Sequence, residues 1–202
     1  MRTVVTKFGG TSLADAEQFK KVRDIILSDP DRRFVVASAP GKRYSEDIKV
    51  TDMLLACYNK AARRESYDRE LTIIRDRFMG IMEELGVSIP LDEELATIKK
   101  RLAANLSREY MASRGEYINS QILAAYLGFT FVDPEWCVCF NDDGSFDAEM
   151  TNRTMSAALR PLKNAVIAGF YGADMKGQIR TFSRGGSDIT GSIVARAVKA
   201  DV

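Results

Sequence analysis

Three short apolar runs constrain the architecture of this chain most. Thr3–Phe8 stops at Gly9-Gly10, Phe34–Ala39 at Pro40-Gly41, and Ala165–Phe170 at Tyr171-Gly172. Each is short, rich in Val, Ile or Ala, and bounded by turn formers, the pattern of a strand buried on both faces. Between the first two, Asp15–Ser28 sets Phe19, Val22, Ile25 and Ile26 on one helical face before Pro30 ends it. A strand–helix–strand unit of that length pairs its strands in parallel. The remaining pattern continues the alternation, with short strands expected at Phe129–Val132, Trp136–Phe140 and Gln178–Phe182, the last in a hairpin. Helices are expected with Thr51 as N-cap, over 66–86, over 91–127 as one or two segments, over roughly 151–161, and from near Asp188 onward. Residues 51–127 therefore form an almost purely helical block. The class is α/β, a three-layer sandwich with a mainly parallel sheet.

Composition removes whole classes of chemistry. Among 202 residues there is no histidine, so Ser-His and Cys-His nucleophiles, His-ligated zinc and imidazole acid/base are excluded. Lys+Arg numbers 29 against 28 Asp+Glu, and this balance lacks the basic excess of a nucleic-acid binder. No apolar run approaches the length of a membrane span. The N-terminus shows no secretory pattern, and the expected location is cytoplasmic. Cys57 stands alone, while Cys137-Val-Cys139 lacks further ligands at metal-site spacing, so alternation along a strand explains it. No metal-ligating residues are assigned.

Two glycine pairs sit at strand-to-helix junctions. Lys7-Phe-Gly-Gly-Thr-Ser12 follows the first strand, and Ser183-Arg-Gly-Gly-Ser-Asp-Ile-Thr190 precedes the last helix. Glycine lets backbone approach a ligand closely. A helix start offers free N–H groups and the positive dipole end. Lys7 adds a point charge and Arg184 a bidentate fork. One such pair is more often a plain tight turn; two, each with a cation, point to phosphate handling. Gly172–Gly177 has Walker spacing, but Gln178-Ile179 stands where Lys-Ser/Thr is required. G-x-G-x-x-G does not occur, which leaves a dinucleotide site without support.

Lys7-Phe-Gly-Gly-Thr-Ser12 resembles the N-terminal signature of aspartate kinases, in the amino-acid kinase superfamily. Further boxes resemble the same family in order: Val35-Val-Ala-Ser-Ala-Pro-Gly41 with Lys49-Val-Thr-Asp52, Ser113-Arg-Gly-Glu116 with Ser120, Phe170-Tyr-Gly172, and Arg184-Gly-Gly-Ser-Asp188 with Thr190. The resemblance implies transfer of the ATP γ-phosphoryl group to the β-carboxylate of L-aspartate, the first step toward lysine, threonine and methionine. It implies ATP and Mg²⁺, and a homo-oligomer in the full-length protein. Lys7 and Asp188 would be catalytic, Lys7 steadying the phosphoryl group and Asp188 organising Lys7. Ser38, Thr51, Glu116, Arg184 and Ser187 would bind aspartate, Glu116 taking the ammonium and Arg184 the α-carboxylate. Phe8, Gly9, Gly10, Gly185 and Gly186, with Lys7, would line the phosphate side. The chemistry suits a chain without histidine. An aspartate side chain is already ionised at pH 7, and phosphoryl transfer needs positioning and charge neutralisation rather than a general base.

The resemblance departs at two places. The loop Lys42–Lys49 is an insertion that would cover the aspartate pocket. Relatives continue into a Thr-Asp nucleotide segment and paired ACT domains beyond the boxes seen here. The expectation is therefore an N-terminal, substrate-binding part of an aspartate kinase over 1–202, with little or no turnover alone. Two alternatives remain: a kinase for glutamate, acetylglutamate or carbamate, and a non-catalytic partner subunit using the helical block as its interface.

Overall fold

The computed structural model describes residues 2–104, 107–183 and 185–202. Four parallel strands form the main sheet in the order β1 (Val4–Phe8), β2 (Arg32–Ala37), β5 (Ala165–Ala168), β3 (Thr130–Val132). Helix α1 (Ala16–Leu27) makes the first crossover, capped by Asp15, whose carboxylate accepts the Gln18 N–H at 2.9 Å. Alternate residues of β2 serve opposite faces. Val35 and Ala37 join Phe19, Val22 and Ile26 of α1 on one side; Phe34 and Val36 join Met155, Leu159 and Val194 on the other. The latter belong to α6 (Ala148–Leu159) and α7 (Gly186–Ala197). Helices on both faces of a parallel sheet give the expected three layers.

The helical block consists of α2 (Val50–Ala62), α3 (Asp68–Leu85), α4 (Leu91–Ala104) and α5 (Arg108–Leu127). The 91–127 stretch is thus two helices. Gly86 and Gly128 end α3 and α5 in the left-handed conformation, with φ of 68° and 67°, which favours glycine. Helix α5 is buried nearly all round and packs against β5, β2 and its neighbouring helices. That central place presents its polar residues to the sheet's exit loops.

Three sequence expectations are corrected. Thr51 lies inside the first turn of α2, which begins at Val50 with Lys49 in the N-cap position. Trp136–Phe140 is not one strand. Asp133 accepts the Glu135 N–H and starts a 3-10 turn over Pro134–Trp136, leaving only β4 (Cys139–Phe140) extended. Ala165–Phe170 is broken after Ala168, because Gly169-Phe170 turns the chain into β6 (Tyr171–Asp174) of a second sheet. There β6 pairs in parallel with β4 and antiparallel with β7 (Ile179–Thr181). The loop 42–49 packs on α3 through Asp47 and Ile48, which face Arg77.

Candidate active site

Every exit loop of the parallel strands converges at one end of the sheet, where open α/β folds bind ligands. Residue spacing controls how closely the loops approach. A Cβ on Gly10 would lie 2.7 Å from the Ala39 carbonyl oxygen, and one on Gly41 would lie 2.6 Å from the Gly10 carbonyl carbon. The Gly41 N–H donates to the Gly10 carbonyl at 2.8 Å. Two glycines thus hold the β1 and β2 exit loops in backbone contact, a distance that no other residue permits.

Lys7 and Asp188 meet across this end of the sheet, Nζ to Oδ1 at 2.9 Å. They arrive from β1 and from the first turn of α7. Gly185 caps α7 in the left-handed region at φ 61°, and Gly186 lies so close to Phe170 that a Cβ would meet its Cδ2 at 2.7 Å. Gly9 lies beside the ammonium, its Cβ position 3.7 Å from Lys7 Nζ. Phe8 packs its side chain against the core and offers the site only its backbone, whose carbonyl accepts the Ser38 N–H at 3.2 Å.

Ser38 and Ser187 hydrogen-bond through their hydroxyls at 2.9 Å. This contact depends on Gly169, because a Cβ there would sit 2.5 Å from Ser187 Oγ. Phe170 follows with φ of +83°, a strained conformation for a bulky residue. Its N–H donates to Thr190 Oγ1 at 3.1 Å, and its carbonyl accepts the Phe182 N–H at 2.9 Å.

Glu116 reaches the same region from α5. At Gly115 the helix approaches the β2 exit loop so closely that a Cβ would lie 2.8 Å from Ala39 Cβ and 3.6 Å from Thr51 Oγ1. The Arg-Gly-Glu sequence therefore sets Glu116 directly against the loop. It is only 7% exposed. Burial pushes its carboxyl up to about 7, partly opposed by the Ala39 N–H donating to it. One turn on, Asn119 Nδ2 donates to the Ser38 carbonyl at 2.8 Å. Three buried polar atoms on this face have no partner among the described residues: Glu116 Oε2, Asn119 Oδ1 and Ser120 Oγ. Their spacing i, i+3, i+4 sets them side by side. Unsatisfied buried acceptors are costly and rare in folded proteins, and here they form an acceptor cluster suited to an ammonium group.

The structure thus unites Lys7, Gly9, Gly10, Ser38, Gly185, Gly186, Ser187 and Asp188, with Glu116 and Thr51 joined through Ala39 and Gly115. Arg184 lies outside the described residues. Sequence reasoning missed Asn119, Gly41 and Gly169; Asn119 was accessible as the residue one turn from Glu116 on the same face. Arg114 faces the other way. Its buried guanidinium stacks over Tyr110, Tyr117 and Tyr171 at 4.5, 4.4 and 5.2 Å and donates to Ser113 Oγ, so it anchors α5 rather than lining the pocket. Among the described residues no cluster of three or more Asp, Glu or Cys is placed to hold a metal ion.

Residues 2–202 match the amino acid kinase family, and the chain belongs to that family. Within it, the similarity is to aspartate kinases. The chain is 37% identical to aspartokinase 3 of Bacillus subtilis, covering 98% of this chain and 47% of that protein. It is 29% identical to the lysine-sensitive aspartokinase 3 of Escherichia coli, covering 98% and 47%. The crystal structure of Clostridium acetobutylicum aspartate kinase superposes with a TM-score of 0.96 at 42% identity, over 100% of this chain and 46% of that one. E. coli aspartokinase III in complex with aspartate and ADP gives 0.82 at 27% identity, over 98% and 47%. The chain spans about half the length of the relatives it matches.

Proposed function

We propose that this chain is the aspartate-binding and phosphate-binding part of an aspartate kinase. A β-carboxylate oxygen of L-aspartate attacks the γ-phosphorus of ATP, the bond from that phosphorus to the β,γ-bridging oxygen breaks, and ADP leaves with the electron pair. No proton moves, because the nucleophile arrives ionised. Glu116 accepts from the substrate ammonium, with Asn119 Oδ1 and Ser120 Oγ as neighbouring acceptors. Ser38 and Ser187 position the substrate through their paired hydroxyls. Lys7 neutralises charge on the transferring group while Asp188 aims it, and Gly9 and Gly10 supply N–H donors. Arg184 takes the α-carboxylate. Mg²⁺, carried on the nucleotide, would supply further charge neutralisation at the phosphates. The chemistry of such a site is positioning plus electrostatic stabilisation.

The observation that carries this reading is the orphaned acceptor cluster on α5 beside Ser38. Support for aspartate comes from the E. coli relative solved with aspartate and ADP. The product would feed lysine, threonine and methionine synthesis in the cytoplasm, and the full-length protein would be a homo-oligomer. Titration calorimetry of these 202 residues should give saturable, weak binding of L-aspartate and none of L-glutamate. No binding at millimolar aspartate would reject the reading. In a coupled ADP-release assay, Lys7→Met should remove aspartate-dependent turnover.

A further inference from the structure

Helix α3 carries one charged residue in its apolar stripe. Arg77 lies between Ile74, Phe78 and Ile81, all buried in the core, and is itself 7% exposed. Both Nη groups of its guanidinium donate to carbonyls of two loops, while Nε has no partner among the described residues. Nη1 donates to the Ile48 carbonyl at 2.9 Å, Nη2 donates to the Ala14 carbonyl at 3.1 Å, and Nη2 also donates to the Gly41 carbonyl. Asp47 Oδ2 lies 3.4 Å from Nη1 and also receives the Arg43 backbone N–H at 3.0 Å and Arg43 Nε at 2.8 Å.

Those three carbonyls have one thing in common. Ala14 closes the 3-10 turn Gly10–Leu13 that follows the first glycine pair. Gly41 is the residue whose N–H holds the Gly10 carbonyl at 2.8 Å. Ile48 ends the inserted loop just before α2. One buried fork therefore grips both sides of the Gly10–Gly41 contact and the end of the loop beside it. A planar guanidinium can bridge carbonyls in fixed relative positions; an ammonium on a flexible stem cannot.

We propose that Arg77 is the positioning residue of the phosphate cradle: through the Gly41 and Ala14 carbonyls it fixes the Gly9 and Gly10 N–H groups, without touching any ligand. The ligand part rests on the phosphate-binding role proposed above; the clamp itself does not.

Two readouts separate the ideas. The first needs no ligand. In amide hydrogen exchange of the 202-residue protein, Arg77→Met should speed exchange at least tenfold in residues 9–14 and 41–48, while β2, β5 and the centre of α5 keep wild-type rates. Unchanged exchange in the two loops, or acceleration spread evenly over the sheet, would overturn the proposal. The second follows the Gly9 and Gly10 amide resonances on titration with inorganic phosphate, and the Ser38 and Ser187 resonances on titration with L-aspartate. Arg77→Met should weaken the phosphate response at least tenfold and leave the aspartate response within threefold. Arg77→Lys should not rescue it. Equal loss of both responses, or rescue by lysine, would overturn the proposal. A wild-type protein that shows the exchange pattern but no phosphate response would refute the phosphate-binding reading and leave the clamp standing. Because Arg77→Met leaves the Asp47 carboxylate with Arg43 as its one guanidinium partner among the described residues, the double variant Asp47→Asn/Arg77→Met is measured alongside, with the same pattern expected.

Discussion

Replacing Glu116 by Gln should make the ligand-free protein more stable at alkaline pH while abolishing aspartate binding. Burial holds the Glu116 carboxyl at about 7 against an ordinary value of 4.5. The native state therefore binds this proton more tightly than the unfolded chain does. Stability is greatest while the group is protonated in both states and falls as pH rises from the unfolded value through about 7, where the folded group finally ionises. The difference converts to about 3 kcal/mol once pH exceeds both values. Gln imitates the protonated form and carries no such penalty. Urea unfolding of the two proteins should give similar stabilities near pH 4.5 and a gap growing to about 3 kcal/mol, in favour of Glu116→Gln, at pH 8. The functional counterpart has the same origin. The ammonium of aspartate favours ionised Glu116, so wild-type affinity should rise about tenfold between pH 6 and pH 8. Stability curves that run parallel from pH 4.5 to 8 would refute the reasoning, since they would show that the carboxylate is already ionised and satisfied in the free protein.

Two other perturbations test neighbouring parts of the site. Gly169→Ala places a methyl group 2.5 Å from Ser187 Oγ, and should cost about 1–3 kcal/mol and weaken aspartate binding about tenfold by separating Ser187 from Ser38. Thermal unfolding and calorimetry read the two effects. Asp47→Asn should cost about 1–3 kcal/mol at pH 7. Arg43 donating to it holds the Asp47 carboxyl well below the usual range, so its contribution is present above about pH 4 and fades as pH falls through the folded value. The gap between wild type and variant should therefore begin to shrink as pH falls below about 4 and close only at strongly acidic pH, near the folded value.

The layered fold was legible because the strands carry two-sided apolar runs and α1 buries Phe19, Val22 and Ile26 on one face, although Ile25, read onto the same face, is 48% exposed. What escaped depends on contacts between distant segments. Gly169-Phe170 looks like the end of a strand, and only the packing of Gly169 on Ser187 and of Phe170 on Gly186 shows why the chain must turn there. Trp136–Phe140 has strand composition, yet the Asp133-Pro134 turn consumes its first half. The glycine pairs and the Arg-Gly-Glu box gave most of the site, because close backbone approach needs glycine at specific positions. Asn119 and Arg77 were readable in principle, as polar residues at helical spacing from buried ones. Their partners, the carbonyls of Ser38 and Gly41, belong to loops whose path no periodicity encodes.

A crystal structure of the protein grown with L-aspartate at pH 8 tests the central claim most directly. The account predicts the substrate ammonium within hydrogen-bond distance of Glu116 Oε2, the buried oxygen that has no partner among the described residues. The β-carboxylate should point toward Lys7 and the Gly9-Gly10 turn. Aspartate bound elsewhere, for example in the cavity lined by Arg101, Arg108 and Arg180, with Glu116 Oε2 still without a partner, would contradict it.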